Sequence, residues 1–140
     1  MRFWDASAIV PLCCTQEATA IVERLGRADA TFVVWWGSPV ECVSAFARLC
    51  RAGGLTADEL ASTIGVLRVL RDAWTEVMPG DPVRERAERL LRTHPLRAAD
   101  ALQLAAALVW ASDQPAGNIV VTLDERLRTA AIQEGFAVEP

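Results

Sequence analysis

Apolar residues run along this chain in two rhythms. Short unbroken stretches, Phe3-Trp4, Thr31 to Trp36 and Asn118 to Thr122, are β-branched or aromatic and bounded by polar residues, which predicts strands buried on both faces. Trp74 to Val77 and Phe136 to Val138 predict two further strands on a weaker pattern. Between them the spacing turns helical, over Ala6 to Cys13, Glu17 to Ala28, Pro39 to Arg51, Ala57 to Arg71, Pro82 to Arg92, Ala98 to Trp110 and Glu125 to Glu134. Short strands alternating with helices predict an α/β fold around a mostly parallel sheet of five strands. Gly53-Gly54, Pro79-Gly80 and Pro115-Ala116-Gly117 punctuate turns, and no repeat or linker divides the chain, so residues 1–140 read as one domain.

Composition narrows the chemistry. With 140 residues, 52% of them hydrophobic, the chain can bury a core without a disulfide or metal staple. All 14 basic residues are Arg, and without Lys neither a Walker-type phosphate loop nor a Schiff-base enzyme can be built. His94, the single His, precedes Pro95 and reads as a surface loop residue, which leaves triad catalysis and His-rich zinc sites without material. Cys13, Cys14, Cys42 and Cys50 show no C-x-x-C spacing, and Cys42 and Cys50 would stand about 12 Å apart on one helix, too far for a disulfide. Free thiols and the absence of a signal-peptide pattern predict a cytoplasmic protein. No apolar run reaches the roughly 20 residues needed to span a bilayer.

The acids are the informative residues. Asp5 ends the first predicted strand and Asp124 follows Ile119 to Val121, so both fall at carboxyl ends of parallel strands, the edge where open α/β sheets bind ligands. Each also precedes a helix and reads equally well as an N-cap. Glu41 closes Ser38-Pro39-Val40-Glu41, a capping box on a helix whose apolar Val43, Phe46, Ala47 and Cys50 predict deep packing. Thr56-Ala57-Asp58-Glu59 has the same pattern without that context. Asp100 lies in the first turn of a helix that is apolar nearly all round and needs a cation or donors, which Arg97 can supply. Four carboxylates at helix starts beside buried strands can share one edge. At about 5 Å each pair would repel by about 3 kcal/mol at an effective dielectric constant near 20, so such a site calls for cations or protons. Oxygen ligands without His or Cys select hard ions, Mg²⁺ or Mn²⁺. Without these four acids, 14 acids face 14 Arg, so the net charge of −4 is compatible with a nucleic-acid substrate.

Phe3-Trp4-Asp5-Ala6-Ser7, Glu41 with Ser44-Ala45-Phe46-Ala47-Arg48, Asp100-Ala101-Leu102-Gln103-Leu104-Ala105 and Thr122-Leu123-Asp124-Glu125 occur in this order over nearly the whole chain. In this the sequence resembles the PIN-domain nucleases, and within them the VapC-type toxins of bacterial toxin–antitoxin pairs. The resemblance implies a PIN-like three-layer α/β/α fold and metal-dependent hydrolysis of RNA phosphodiesters. It implies Asp5 and Asp100 as direct metal ligands, and Glu41 and Asp124 as ligands directly or through water. Ser7 and Thr122 would hold a ligand or water in place. Arg48, two helical turns beyond Glu41, reads as a contact to RNA phosphate or to an inhibitor's carboxylate, or as a solvated Arg. A VapB-like antitoxin and a homodimer are the implied partners, with the helices Ala57 to Arg71 and Pro82 to Arg92 as candidate surfaces. Gln103 stands where many relatives carry His and, lying off the acidic set, bears on substrate preference. Two alternatives are a non-catalytic binding domain of the same fold and a haloacid-type phosphohydrolase. The latter needs an Asp at the position of Ser7 and normally a Lys.

Overall fold

Phe3 and Trp4 are adjacent in sequence yet buried in different cores, as successive strand residues must be when both faces of a sheet are covered. The computed structural model describes residues 1–29 and 31–140. Among these, five parallel strands, β1 (Arg2–Trp4), β2 (Phe32–Trp35), β3 (Thr75–Val77), β4 (Ile119–Val121) and β5 (Ala137–Glu139), lie in the order β3-β2-β1-β4-β5. Phe3 pairs with Val33 on one side and Val120 on the other, and these three enter one core. Trp4, Val34 and Val121 enter the opposite one.

Four helices cover the Trp4 face: α1 (Ala6–Cys13), α2 (Thr19–Arg27), α3 (Ser38–Arg51) and α4 (Ala57–Arg71). Three cover the Phe3 face: α5 (Asp81–Thr93), α6 (Ala98–Trp110) and α7 (Glu125–Glu134). The result is the expected three-layer α/β/α fold, with a sheet that is wholly parallel among the described residues. The strand order reverses beside β1: the chain works outward from β1 to β2 and β3, then crosses back to β4 and β5. After β1 it turns into α1 on one face, and after β4 into α7 on the other, so a crevice opens between their carboxyl ends.

α6 is the central helix of the Phe3 layer, burying Ala101, Leu104 and the run Ala105 to Leu108. Its small side chains let it lie close against α5 and the sheet. Local chemistry moves several boundaries from their expected places. α2 starts two residues late because Gln16 N donates to Thr19 Oγ1 (2.8 Å) and that hydroxyl donates to Pro11 O (2.9 Å), which holds the preceding residues in a turn. α3 buries Cys42 and Phe46 along one stripe only; Val40 is 70% exposed, so this helix is less deeply packed than its apolar content predicts. His94 is not a free surface residue. Its ring, 8% exposed, bonds Glu134 Oε1 (2.7 Å) and Gln133 Oε1 (2.9 Å), and Arg89 donates to the same Glu134 (2.7 Å), which ties the end of α5 to α7. α7 ends as anticipated at Glu134, and the positive φ of Gly135 after it lets Phe136 N reach Ala131 O (3.0 Å).

Leu104→Ala empties part of the Phe3-side core and is expected to lower unfolding free energy by about 2–4 kcal/mol in urea titrations, whereas Ile132→Ala, on the outside of α7, changes it by less than about 0.5 kcal/mol.

Candidate active site

Asp5 is the first residue beyond β1, and its backbone N still donates to Val121 O (3.0 Å), so the residue is pinned against β4. Its side chain caps α1 by accepting from Ser7 N (3.2 Å). With 4% of its surface exposed, the carboxylate needs more donors than that one amide. It receives them at Oδ2 from the Ser7 hydroxyl and from Thr122 Oγ1 (2.9 Å). The two hydroxyls are themselves held: Leu123 N donates to Ser7 Oγ (2.9 Å) and Asp124 N to Thr122 Oγ1 (3.1 Å). Burial pushes the Asp5 carboxyl above its ordinary value, against the donation from Ser7 and Thr122.

Asp124 caps α7, accepting from Arg126 N and Leu127 N (both 2.9 Å) at Oδ1. Its other oxygen faces Arg97 Nη2 at 3.7 Å. Arg97 precedes α6 and also places Nε 3.3 Å from Asp100 Oδ2, so one guanidinium spans two of the four acids while remaining 70% exposed. The N-cap and cleft-lining readings of Asp5 and Asp124 are thus compatible, because the two oxygens of a carboxylate can do different things.

Glu41 departs from expectation. α3 begins at Ser38 with Gly37 as its cap, and no capping box forms, in contrast to Thr56 and Glu59, which form one at the start of α4. Gly37 is required by space: a Cβ there would collide with the Trp35 indole. Ser38 Oγ accepts instead from Gln103 Nε2 (3.0 Å), and the same nitrogen donates to Glu41 Oε1 (3.1 Å). Gln103 therefore belongs to the acidic set rather than lying off it. Burial pushes the Glu41 carboxyl up to about 7, and the negative charges of Asp5 and Asp100 push in the same direction.

Asp5, Ser7, Glu41, Arg48, Asp100 and Asp124 all line one cleft of about 470 Å³, with Arg97, Ser44 and Val40 at its walls. Thr122 stands behind Asp5. Arg48 has no ion-pair partner among the described residues. Among those residues no three carboxylates close around one point, so the acids edge the cleft without forming a ready cage, and Arg97 stands where two of them face each other. A second cleft of about 530 Å³, between the end of α1 and α4, carries Asp58 and Glu59 at its rim, but Glu59 belongs to the α4 capping box. Ser38 and Gln103 are the polar partners whose roles sequence reasoning missed. The available signal was Gln103 itself, a polar residue one turn beyond Asp100 on an otherwise apolar helix.

Together, a three-layer α/β/α fold around one parallel sheet and an acid-edged cleft at its topological switch point define a domain of the PIN type. No protein-family model matches the chain. The ribonuclease VapC45 of Mycobacterium tuberculosis is 35% identical over 142 aligned positions, covering 99% of this chain and 94% of the relative. The chain belongs to the VapC ribonuclease family. Its fold is also that of M. tuberculosis VapC20, described as a sarcin–ricin loop cleaving toxin (TM-score 0.69, 15% identity, 98% of this chain and 97% of that one). A toxin–antitoxin complex from Klebsiella pneumoniae is similarly alike in fold (TM-score 0.68, 13% identity, 100% and 97% covered).

The raised Glu41 carboxyl has a measurable sign. Between its ordinary value of 4.5 and about 7 the folded chain binds a proton that the unfolded chain does not, so this group makes stability fall as pH rises through that window. Asp5 acts in the same sense. Glu134 and Asp113, held down by Arg89 and Arg86, act oppositely, but only below their ordinary values of 4.5 and 3.8. In EDTA, Glu41→Gln is expected to melt about 2–5 °C above the parent chain at pH 8, with the gap closing towards pH 4.5, as followed by circular dichroism.

Proposed function

We propose that this chain is a metal-dependent endoribonuclease, the toxin of a toxin–antitoxin pair, and that the cleft edged by Asp5, Glu41, Asp100 and Asp124 is its active site. The observation that carries the reading is that these four carboxylates, from four separate segments of sequence, line one cleft at the switch point between β1 and β4. An all-oxygen donor set suits a hard divalent cation, and the upward push on Glu41 from Asp5 and Asp100 is the repulsion that such a cation relieves. These four residues would hold Mg²⁺ or Mn²⁺, which when bound supplies a more acidic water and neutralises charge on phosphoryl oxygens.

The chain's own residues prepare the rest. Ser7 and Thr122 keep Asp5 from rotating, and the amides of α7 keep Asp124 fixed through Oδ1. Arg97 and Arg48 flank the acids and can meet the phosphates on either side of the scissile bond, the guanidinium fork matching two phosphate oxygens. An antitoxin segment would lie over the same cleft, meeting Arg48 with a carboxylate. The exposed Val66 and Val69 on α4 and Val40 on α3 give apolar surface for that partner or for a second copy of the chain. A second reading, a binding domain of this fold without catalysis, draws on Arg97, whose single charge is already paired with two of the acids.

Purified free of partners, the chain is expected to cleave a mixed RNA pool with Mn²⁺ or Mg²⁺ and to stop in EDTA. Asp100→Asn should abolish cleavage without unfolding; equal activity in the variant, or absence of cleavage together with failure to bind Mn²⁺ in calorimetry, would favour the binding-domain reading. Arg48→Ala should raise KM for RNA and make the slope of log kcat/KM against log salt shallower by about 0.7–1, the signature of one lost phosphate contact.

A further inference from the structure

One side chain joins the two helical layers around the carboxyl edge of the sheet. Gln103 belongs to α6 on the Phe3 face, and Ser38 and Glu41 belong to α3 on the Trp4 face; the Gln103 amide reaches across to both. It has no exposed surface. Core packing does not account for an amide there, because a leucine would fill similar space without the cost of burying polar atoms. What the amide adds is direction. Its Nε2 donates to Glu41 Oε1 and Ser38 Oγ, and among the described residues no side chain donates to Glu41 Oε2. Gln103 also stands one turn beyond Asp100, so the helix that presents one acid fixes the orientation of another on a different layer. A glutamate side chain has three rotatable bonds, and in this open cleft no other side chain among the described residues donates to its carboxylate.

We infer that Gln103, backed by Ser38, is a positioning residue that immobilises Glu41 through Oε1 and leaves Oε2 to face the chemistry of the cleft. The inference rests on the nuclease reading of that cleft. It makes Glu41 a one-oxygen participant and makes its distance from Asp100 a property of α6 rather than of rotamer freedom. A neutral amide can donate at any pH, so the restraint persists whether or not Glu41 is ionised.

The test compares the parent chain with Gln103→Leu, Gln103→His and Ser38→Ala/Gln103→Leu. Mn²⁺ affinity is read by calorimetry, kcat and KM on a cleavable RNA, and stability by thermal melting. Gln103→Leu is expected to lose about 10-fold or more in both Mn²⁺ affinity and kcat, as disturbed ligand-orienting partners do, with KM for RNA changed less than about 2-fold. Gln103→His, with a ring N–H that can donate to Glu41, should recover much of the loss. The double variant leaves no orphaned hydroxyl and should keep the defect while regaining any stability that Gln103→Leu lost. A folded leucine variant with parental Mn²⁺ affinity and kcat overturns the inference while leaving the nuclease reading intact. A defect that vanishes when the double variant restores stability, or failure of both leucine variants to fold, assigns Gln103 to the core and overturns it as well. A parent chain that neither binds Mn²⁺ nor cleaves RNA defeats the nuclease reading, and the inference falls with it.

Discussion

A carboxylate almost wholly buried at the end of a central strand must be met by donors, and in this chain the demand of Asp5 organises one side of the cleft. Ser7 reaches it from α1 and Thr122 from the end of β4, and both hydroxyls are in turn held by backbone amides of the segment leading into α7. Topology opens the crevice between β1 and β4, and this short network ties the start of α1 to the segment after β4. Removing either hydroxyl would leave a buried anion under-satisfied, a far larger penalty than the loss of an average hydrogen bond.

The other side of the cleft is held by longer side chains. Glu41 and Asp100 stand on helices from opposite faces of the sheet, and Gln103 spans the distance between those layers. Arg97 adds a second connection, from the residue before α6 to Asp124, the cap of α7. Serine and threonine suffice where strands lie side by side; a glutamine spans the gap where layers meet at an edge, and an arginine links two helices of one layer.

Much of this was readable in the sequence, for a physical reason. A strand buried on both faces has no polar alternation, so Phe3-Trp4, Val33-Val34 and Ile119 to Val121 announce themselves, and an acid directly after such a strand is placed by connectivity alone. Asp5 and Asp124 were legible in this way, and Asp100 through its conflict with an apolar helix. What sequence could not show were partnerships between residues far apart along the chain. Ser38 looks like a helix cap because its local pattern matches one; its hydroxyl pairs instead with Gln103, 65 residues on. His94 looks like a loop residue until α7 arrives beside it.

Arg97 carries one further consequence. A group of carboxylates brought together by folding normally resists its own assembly, and many metal-binding domains form only once their ion is present. Here a guanidinium from the same chain already sits against Asp100 and Asp124, so part of the counter-charge arrives with the polypeptide. The cleft thus carries part of its own counter-ion, and holding Asp100 near Asp124 does not wait on an ion from solution.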